Sequence, residues 1–259
     1  MLKAVCFDLW ETLITDTPEI SDAQKRFRLT RTDEILRARG HVREAEQLER
    51  GFHTSWQRLH ELYWSADRDI PCRTQVEVFL QEIGVDPSHL DAATLDEIED
   101  AYANAAVRHL PAVVPGAREV LAGIARRGYH IGMISNTGRT PGYALREILT
   151  RLDLAPKIDA MVFSNEHGFC KPVPSIFETL RDALAVRFDE MMFVGDNLYV
   201  DVYGAKRCGI RAVHFIPQTR GTAVAPHVQV EVEPDATVTR LEQLLTLIDE
   251  IRDSRFEIR

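Results

Sequence analysis

Asp8 stands where a short, mostly apolar run (residues 2–9) gives way to Trp10-Glu11-Thr12. Such a run suits a buried strand. A carboxylate at its end is costly unless it finds a partner, because burying unpaired charge is penalised. The chain offers partners at comparable places. Ser135-Asn136 follows the apolar residues 131–134, Lys171 sits in Cys170-Lys171-Pro172, and Asp196 follows the apolar run 191–194, with Asp201 five residues on. Brought together, two carboxylates could hold a hard divalent cation, a lysine could neutralise an anion, and Ser and Asn could donate hydrogen bonds. Each residue also has a plainer reading. Asp8 could cap a turn or helix, Ser-Asn-Thr-Gly is ordinary turn chemistry, most lysines are solvated, and Asp196-Asn197 could form an Asx turn. The ordered set, each carboxylate or hydroxyl at a strand end, is what argues for a site.

The elements that must position these residues read as an α/β fold. From 114 onward, helices alternate with strands. The pattern predicts helices over 117–127, 143–152, 175–185, 201–208 and 238–251, and strands over 130–135, 161–164, 191–196 and 212–215. Such alternation means a parallel, Rossmann-like sheet covered on both faces. In these sheets the binding crevice lies at the carboxyl ends of the strands, where Asp8, Ser135 and Asp196 all fall. Residues 216–234 read as loop, with a short strand over 228–232 as an option.

Between 15 and 110 the strand signals stop. Leu48, Phe52, Trp56, Leu59 and Tyr63 form one apolar stripe at helical spacing, and Val76, Phe79, Leu80 and Ile83 form another, ended by Gly84. Leu95, Ile98, Tyr102 and Ala106 form a third, with Thr94 and Glu97 as a capping box. The chain therefore divides into a core, 1–15 and 111–259, and an inserted helical unit, 16–110.

A hydrophobic share of 45% and a charged share of 27% belong to an ordinary soluble protein, and no apolar stretch approaches the ~20 residues of a membrane helix. No leader pattern opens the chain, so the expectation is a cytoplasmic protein with no membrane partner. A net charge of −9 argues against general nucleic-acid binding but leaves room for a small anionic substrate. A monomer or homodimer is expected. Cys6, Cys72, Cys170 and Cys208 lie far apart and read as reduced structural thiols. His109, His130, His167 and His214 show no ligand spacing and read as structural, and Trp56 and Trp64 as packing. Lys25, Arg26, Arg28 and Arg31 form a basic cluster, either a solvated face or a clamp on the distal end of an anionic substrate.

Taken in order, Asp8, Ser135, Lys171 and Asp196 resemble the four motifs of the haloacid dehalogenase superfamily, over nearly the whole chain. The resemblance implies a hydrolase whose inserted helical unit is a cap that closes over the site and selects substrates. It implies Asp8 as nucleophile, forming an aspartyl-phosphate, and Mg²⁺ held by Asp8, Asp196 and the Trp10 carbonyl. Ser135 and Asn136 would bind the transferring group, Lys171 would hold its charge, and Asp201 would support the metal or Lys171.

One position departs from this pattern. Superfamily phosphatases carry a second Asp two residues after the nucleophile, and this chain has Trp10 there. Indole cannot protonate a leaving group. Either the leaving group needs no proton, or Glu11 or a cap residue substitutes, although Glu11 should point elsewhere. The superfamily's 2-haloacid dehalogenases carry an aromatic residue at this place, but lack the metal-binding Asp that Asp196 supplies here. The preferred expectation is therefore a Mg²⁺-dependent phosphohydrolase acting on a small phosphorylated metabolite. A dehalogenase-like hydrolase and a catalytically weak binding protein are the alternatives.

Overall fold

The computed structural model describes residues 1–222, 228 and 230–253. Its centre is β1 (Ala4–Phe7), four buried residues flanked on both sides by parallel strands. The sheet has six strands in the order β5 (Ala160–Phe163), β4 (His130–Ser135), β1, β6 (Met191–Gly195), β7 (Arg211–Phe215) and β8 (Ala236–Val238). Because successive strand residues face opposite sides, β1 feeds two cores. Val5 and Phe7 pack with Ile131, Met133, Met192 and Val194 on one face. Ala4 and Cys6 pack with Ile134, Met191 and Phe193 on the other.

Five helices form the cap: α1 (Pro18–Arg37), α2 (Ala45–Leu62), α3 (Cys72–Glu82), α4 (Ala92–Ala103) and the short α5 (Ala105–Arg108). They enclose a separate apolar cluster that includes Leu36, Phe52, Val76, Phe79, Ile98 and Tyr102. A two-stranded antiparallel ribbon, β2 (Ile14–Thr15) with β3 (Ala112–Val113), ties the chain's entry into the cap to its exit. In the core, α6 (Ala117–Arg126), α7 (Gly142–Arg151) and α11 (Gln243–Asp253) cover the first face. The second face is covered by α9 (Pro174–Leu184) and α10 (Gly204–Arg207), while α8 (Ser164–His167) is a single turn after β5.

Several expectations need correction. The last helix begins at Gln243, not 238, because Val238 belongs to β8, which pairs parallel with β7. The Asp235 side chain anchors that strand by accepting from the Ala212 N–H at 2.8 Å. The optional strand over 228–232 is absent from its described residues, and residue 229 lies outside them. The N-cap of α4 is Asp91, which accepts from the Thr94 N–H at 2.7 Å, so Thr94 is inside the helix and Glu97 instead pairs with Arg39. The helix expected over 201–208 starts earlier, as a π-helical turn over Leu198–Tyr203. Within the first cap stripe, Leu48, Phe52 and Leu59 are buried, but Trp56 is 39% exposed and Tyr63 lies past the helix end.

Candidate active site

The β1 ladder extends one step past its strand, with the Asp8 N–H donating to the Val194 carbonyl at 2.9 Å. This pins Asp8 between the ends of β4 and β6. From the end of β6, Gly195 leads into Asp196 and Asn197. Gly195 is required by close approach, since a Cβ there would lie 2.3 Å from the Asp201 carboxyl carbon. Asp201 can thus fold back against the strand end, where one of its oxygens accepts from the Asn197 N–H at 3.0 Å. The Asn197 side chain caps the following turn by accepting from the Tyr199 and Val200 N–H groups, at 2.9 and 3.1 Å.

Lys171 arrives from the loop after α8. Its Nζ donates to Asp8 Oδ1 and to Asp201 Oδ1, each at 2.6 Å, and the residue is only 1% exposed. The Asn136 side chain grips the same residue from β4's side. It accepts from the Lys171 N–H at 2.8 Å and donates to the Lys171 carbonyl at 3.1 Å. Ser135 is fully buried at the end of β4, its hydroxyl 3.4 Å from the Asn136 carbonyl.

Carboxylate oxygens of Asp8, Asp196 and Asp201 can all lie within 4.8 Å of one another. Three acids face one buried ammonium, with Arg220 acting on Asp196 as well, so with all of them ionised the carboxylates outnumber the cations. Burial, opposed by Lys171 and reinforced by Asp201, pushes Asp8 up to about 6. Burial, then Asp8 and Asp201, pushes Asp196 up to about 8. Burial works against the Lys171 ammonium, yet Asp201 and Asp8 pull its pKa to about 12, so it stays charged. Oxygen donors, close spacing and unmatched negative charge are what a hard divalent cation requires. The buried Asp cluster is consistent with a metal-binding site.

Trp10 is half-buried and packs against the core. Glu11, with φ of 60°, turns its carboxylate to the Thr15 hydroxyl at 3.0 Å and the Gly221 N–H at 2.6 Å. Its carboxylate is thus engaged by the end of β2 and the loop after β7.

The basic cluster does not share one face, since Arg26 and Arg31 are exposed while Arg28 is buried. Arg28 is buried and donates to the Tyr102 carbonyl at 2.9 Å, Lys25 pairs with Glu49, and Arg31 pairs with Glu34. Among the histidines, His214 approaches the site, its Nε2 lying 3.1 Å from the Asp196 carbonyl. A carbonyl only accepts, so Nε2 carries the proton there. All four cysteines are free.

Sequence reasoning missed three polar residues that the fold gives defined partners. Asp69 of the cap accepts from the Thr137 hydroxyl at 3.0 Å and from the Ser164 hydroxyl. Arg139 lies over the Phe52 ring at 3.8 Å and donates to the Tyr102 hydroxyl. Arg220 acts electrostatically on Asp196 from the loop after β7. None belongs to a spacing pattern, so nothing in the linear sequence marks them.

The chain is similar to a glyceraldehyde 3-phosphate phosphatase from Pyrococcus abyssi, 27% identical over 258 residues, covering 100% of this chain and 98% of the relative. Its fold matches the crystal structure of a 2-haloacid dehalogenase from Pseudomonas syringae pv. Tomato DC3000 with a TM-score of 0.66 and 24% identity, covering 96% and 99% of the two chains. It also matches a HAD phosphatase from Thermococcus onnurineus with a TM-score of 0.61 and 22% identity, covering 95% and 98%. Residues 2–209 match the family model for haloacid dehalogenase-like hydrolases, a span that holds the cap, Lys171 and all three clustered carboxylates. With that match and this sheet-edge cluster, the chain belongs to the haloacid dehalogenase-like hydrolases, with a parallel Rossmann-like core and an inserted helical cap.

Proposed function

We propose that the protein is a Mg²⁺-dependent phosphohydrolase that cleaves a small phosphorylated metabolite through an aspartyl-phosphate on Asp8. The observation that carries this reading is the charge imbalance at the sheet edge, three clustered carboxylates against one lysine. A site built only to bury ionic groups would balance them. The similar phosphatase from Pyrococcus abyssi supports a phosphate ester as substrate.

Asp8, Asp196 and, by family resemblance, the Trp10 carbonyl would hold Mg²⁺, which when bound supplies positive charge to both nucleophile and phosphoryl group. The remaining chemistry belongs to the chain. Lys171 holds one Asp8 oxygen at 2.6 Å and so orients the carboxylate. An Asp8 oxygen forms the new bond to phosphorus as the bond to the leaving oxygen breaks, and Lys171 and the Ser135 hydroxyl meet the charge on the transferring group. Water then attacks phosphorus, releasing phosphate and restoring Asp8. Trp10 supplies no proton to the departing group, so leaving groups that are good without one should react fastest.

That same residue favours a second reading, a metal-independent 2-haloacid dehalogenase, because halide departs unprotonated. Asp196 weighs against it, since a metal-free site has no use for a third carboxylate in the cluster.

The test is a panel of phosphomonoesters, phosphoanhydrides and 2-haloacids, each with Mg²⁺ and with chelator. Phosphate release that needs Mg²⁺ and disappears in Asp196→Asn is expected. Halide release that is indifferent to chelator would establish the second reading instead.

A further inference from the structure

Lys171 is held between two loops, and one short stretch of the cap is bonded to both. On the far side of Asn136, the Thr137 hydroxyl donates to Asp69 at 3.0 Å, while the Thr137 N–H donates to the Ser164 hydroxyl at 2.9 Å. Ser164 in turn donates to the same Asp69 oxygen. On the near side of Lys171, cap residues 67–69 run antiparallel to 168–170. The Asp69 N–H donates to the Gly168 carbonyl at 3.0 Å, and the Cys170 N–H donates to the Asp67 carbonyl at 2.8 Å. Arg68 and Phe169 form the bridge between them.

Resting on the reading of Asp8 and Lys171 as the reacting pair, we propose that Asp69 is a positioning residue for Lys171, so that the lysine is locked in place only while the cap is docked. Asp69 is 6% exposed, and its carboxylate also accepts from Trp64 Nε1 at 3.0 Å and from the Ile70 N–H at 2.8 Å. Four donors therefore converge on one buried carboxylate, two from the cap and two from the core. Undocking the cap removes the two core donors together with the 67–69 pairing. That leaves Thr137 and Phe169, which bracket Asn136 and Lys171, without their supports. Displacement of a catalytic group by about 1 Å can cost ~10²-fold in rate. Cap movement and assembly of the reacting charges are thus one event, so a bound substrate meets an aligned lysine and an open site is inactive.

The test uses the full chain, with 4-nitrophenyl phosphate and Mg²⁺ as the probe. Asp69→Ala and Thr137→Val should lower kcat by ~10- to 100-fold with KM moved no more than ~3-fold. Asp69→Asn should restore most of that loss, since its carbonyl can take the Trp64 and Ile70 donors while its amide donates to the two hydroxyls. Amide hydrogen exchange, which needs no turnover, should quicken at Cys170 and Lys171 in Asp69→Ala while the β6 amides stay protected. Should Asp69→Ala fail to fold, Thr137→Val carries both measurements. An unchanged kcat, a rise in KM alone, or faster exchange confined to 64–70 would each overturn the coupling. The exchange result stands even if the protein turns out not to hydrolyse phosphate.

Discussion

Two polar clusters lie near each other in this molecule and follow opposite rules. At the sheet edge, Asp8, Asp196 and Asp201 face one ammonium, and burial first, then the neighbouring carboxylates, raises the pKa values of Asp8 and Asp196. At the junction of cap and core, Asp69 is met by four neutral donors, and Arg139 by the Phe52 carbonyl, the Tyr102 hydroxyl and aromatic faces. The junction is satisfied internally, while at the sheet edge carboxylates outnumber the cations that face them. The difference separates a cluster whose donors and acceptors are matched from one that crowds like charges together.

Replacing the cation in each cluster sharpens the contrast most. Lys171→Met should cost ~10²–10³-fold in turnover and ~3–5 kcal/mol of stability, because two buried carboxylates lose their partner. Arg139→Met should cost far less of both, since its partners are neutral. Equal losses in steady-state kinetics and urea melts would erase the distinction.

Next in size, the separate apolar cores predict separable damage. Phe79→Ala in the cap and Phe193→Ala in the core should each cost ~3–5 kcal/mol. Exchange monitored by mass spectrometry should rise in cap peptides for the first and in sheet peptides for the second. Uniform loss of protection in both would mean one cooperative unit.

Just past the ribbon linking the two regions lies Asp16, whose pKa is raised to about 6, by burial first and with Glu11 adding to it, against the Gln24 hydrogen bond and Arg28. A raised acid binds its proton more tightly when folded, so its folded form is favoured at low pH and its cost appears as pH climbs from about 4 through about 6. Asp16→Asn should therefore gain on the wild type across that window, by ~2–3 kcal/mol at neutral pH. Urea melts at pH 4.5 and 7.5 check the sign, and a variant no more stable at the higher pH would refute it. Smallest is Asp91→Ala, expected to lower stability by ~1 kcal/mol through the lost cap of α4, read by a thermal melt with activity retained. A larger loss of activity than of stability would show that the outer cap surface takes part in the reaction.

The core was readable in the sequence because parallel strands buried on both faces appear as apolar runs, and their ends mark the crevice. Asp8, Ser135 and Asp196 were placed at the crevice this way and Lys171 by its order among the motifs, and the structure brings Asp8, Lys171 and Asp196 together with Asp201. Three stretches of cap helix were legible from their stripes, whereas α1, Pro18–Arg37, was not read from one. What stayed hidden depends on partners distant in sequence. Arg28 looked like part of a basic surface but is buried against Tyr102, 74 positions away. Asn136 was expected to bind the transferring group, yet its side-chain amide is engaged with the Lys171 backbone. Asp69 lies in an unremarkable polar stretch, and only the folded chain sets it against Thr137 and Ser164. β8 was missed because three residues at a sheet edge carry too little periodicity to separate from a helix start.

The central proposal is that the Asp8 carboxylate takes the phosphoryl group. Turnover of a phosphomonoester with Mg²⁺, quenched in acid within one catalytic cycle and analysed by peptide mass spectrometry, tests this directly. The peptide carrying Asp8 should gain the mass of one phosphoryl group, and the gain should vanish in Asp8→Asn and in the presence of chelator. Phosphate released while the Asp8 peptide never gains that mass, or with turnover intact in Asp8→Asn, would contradict it.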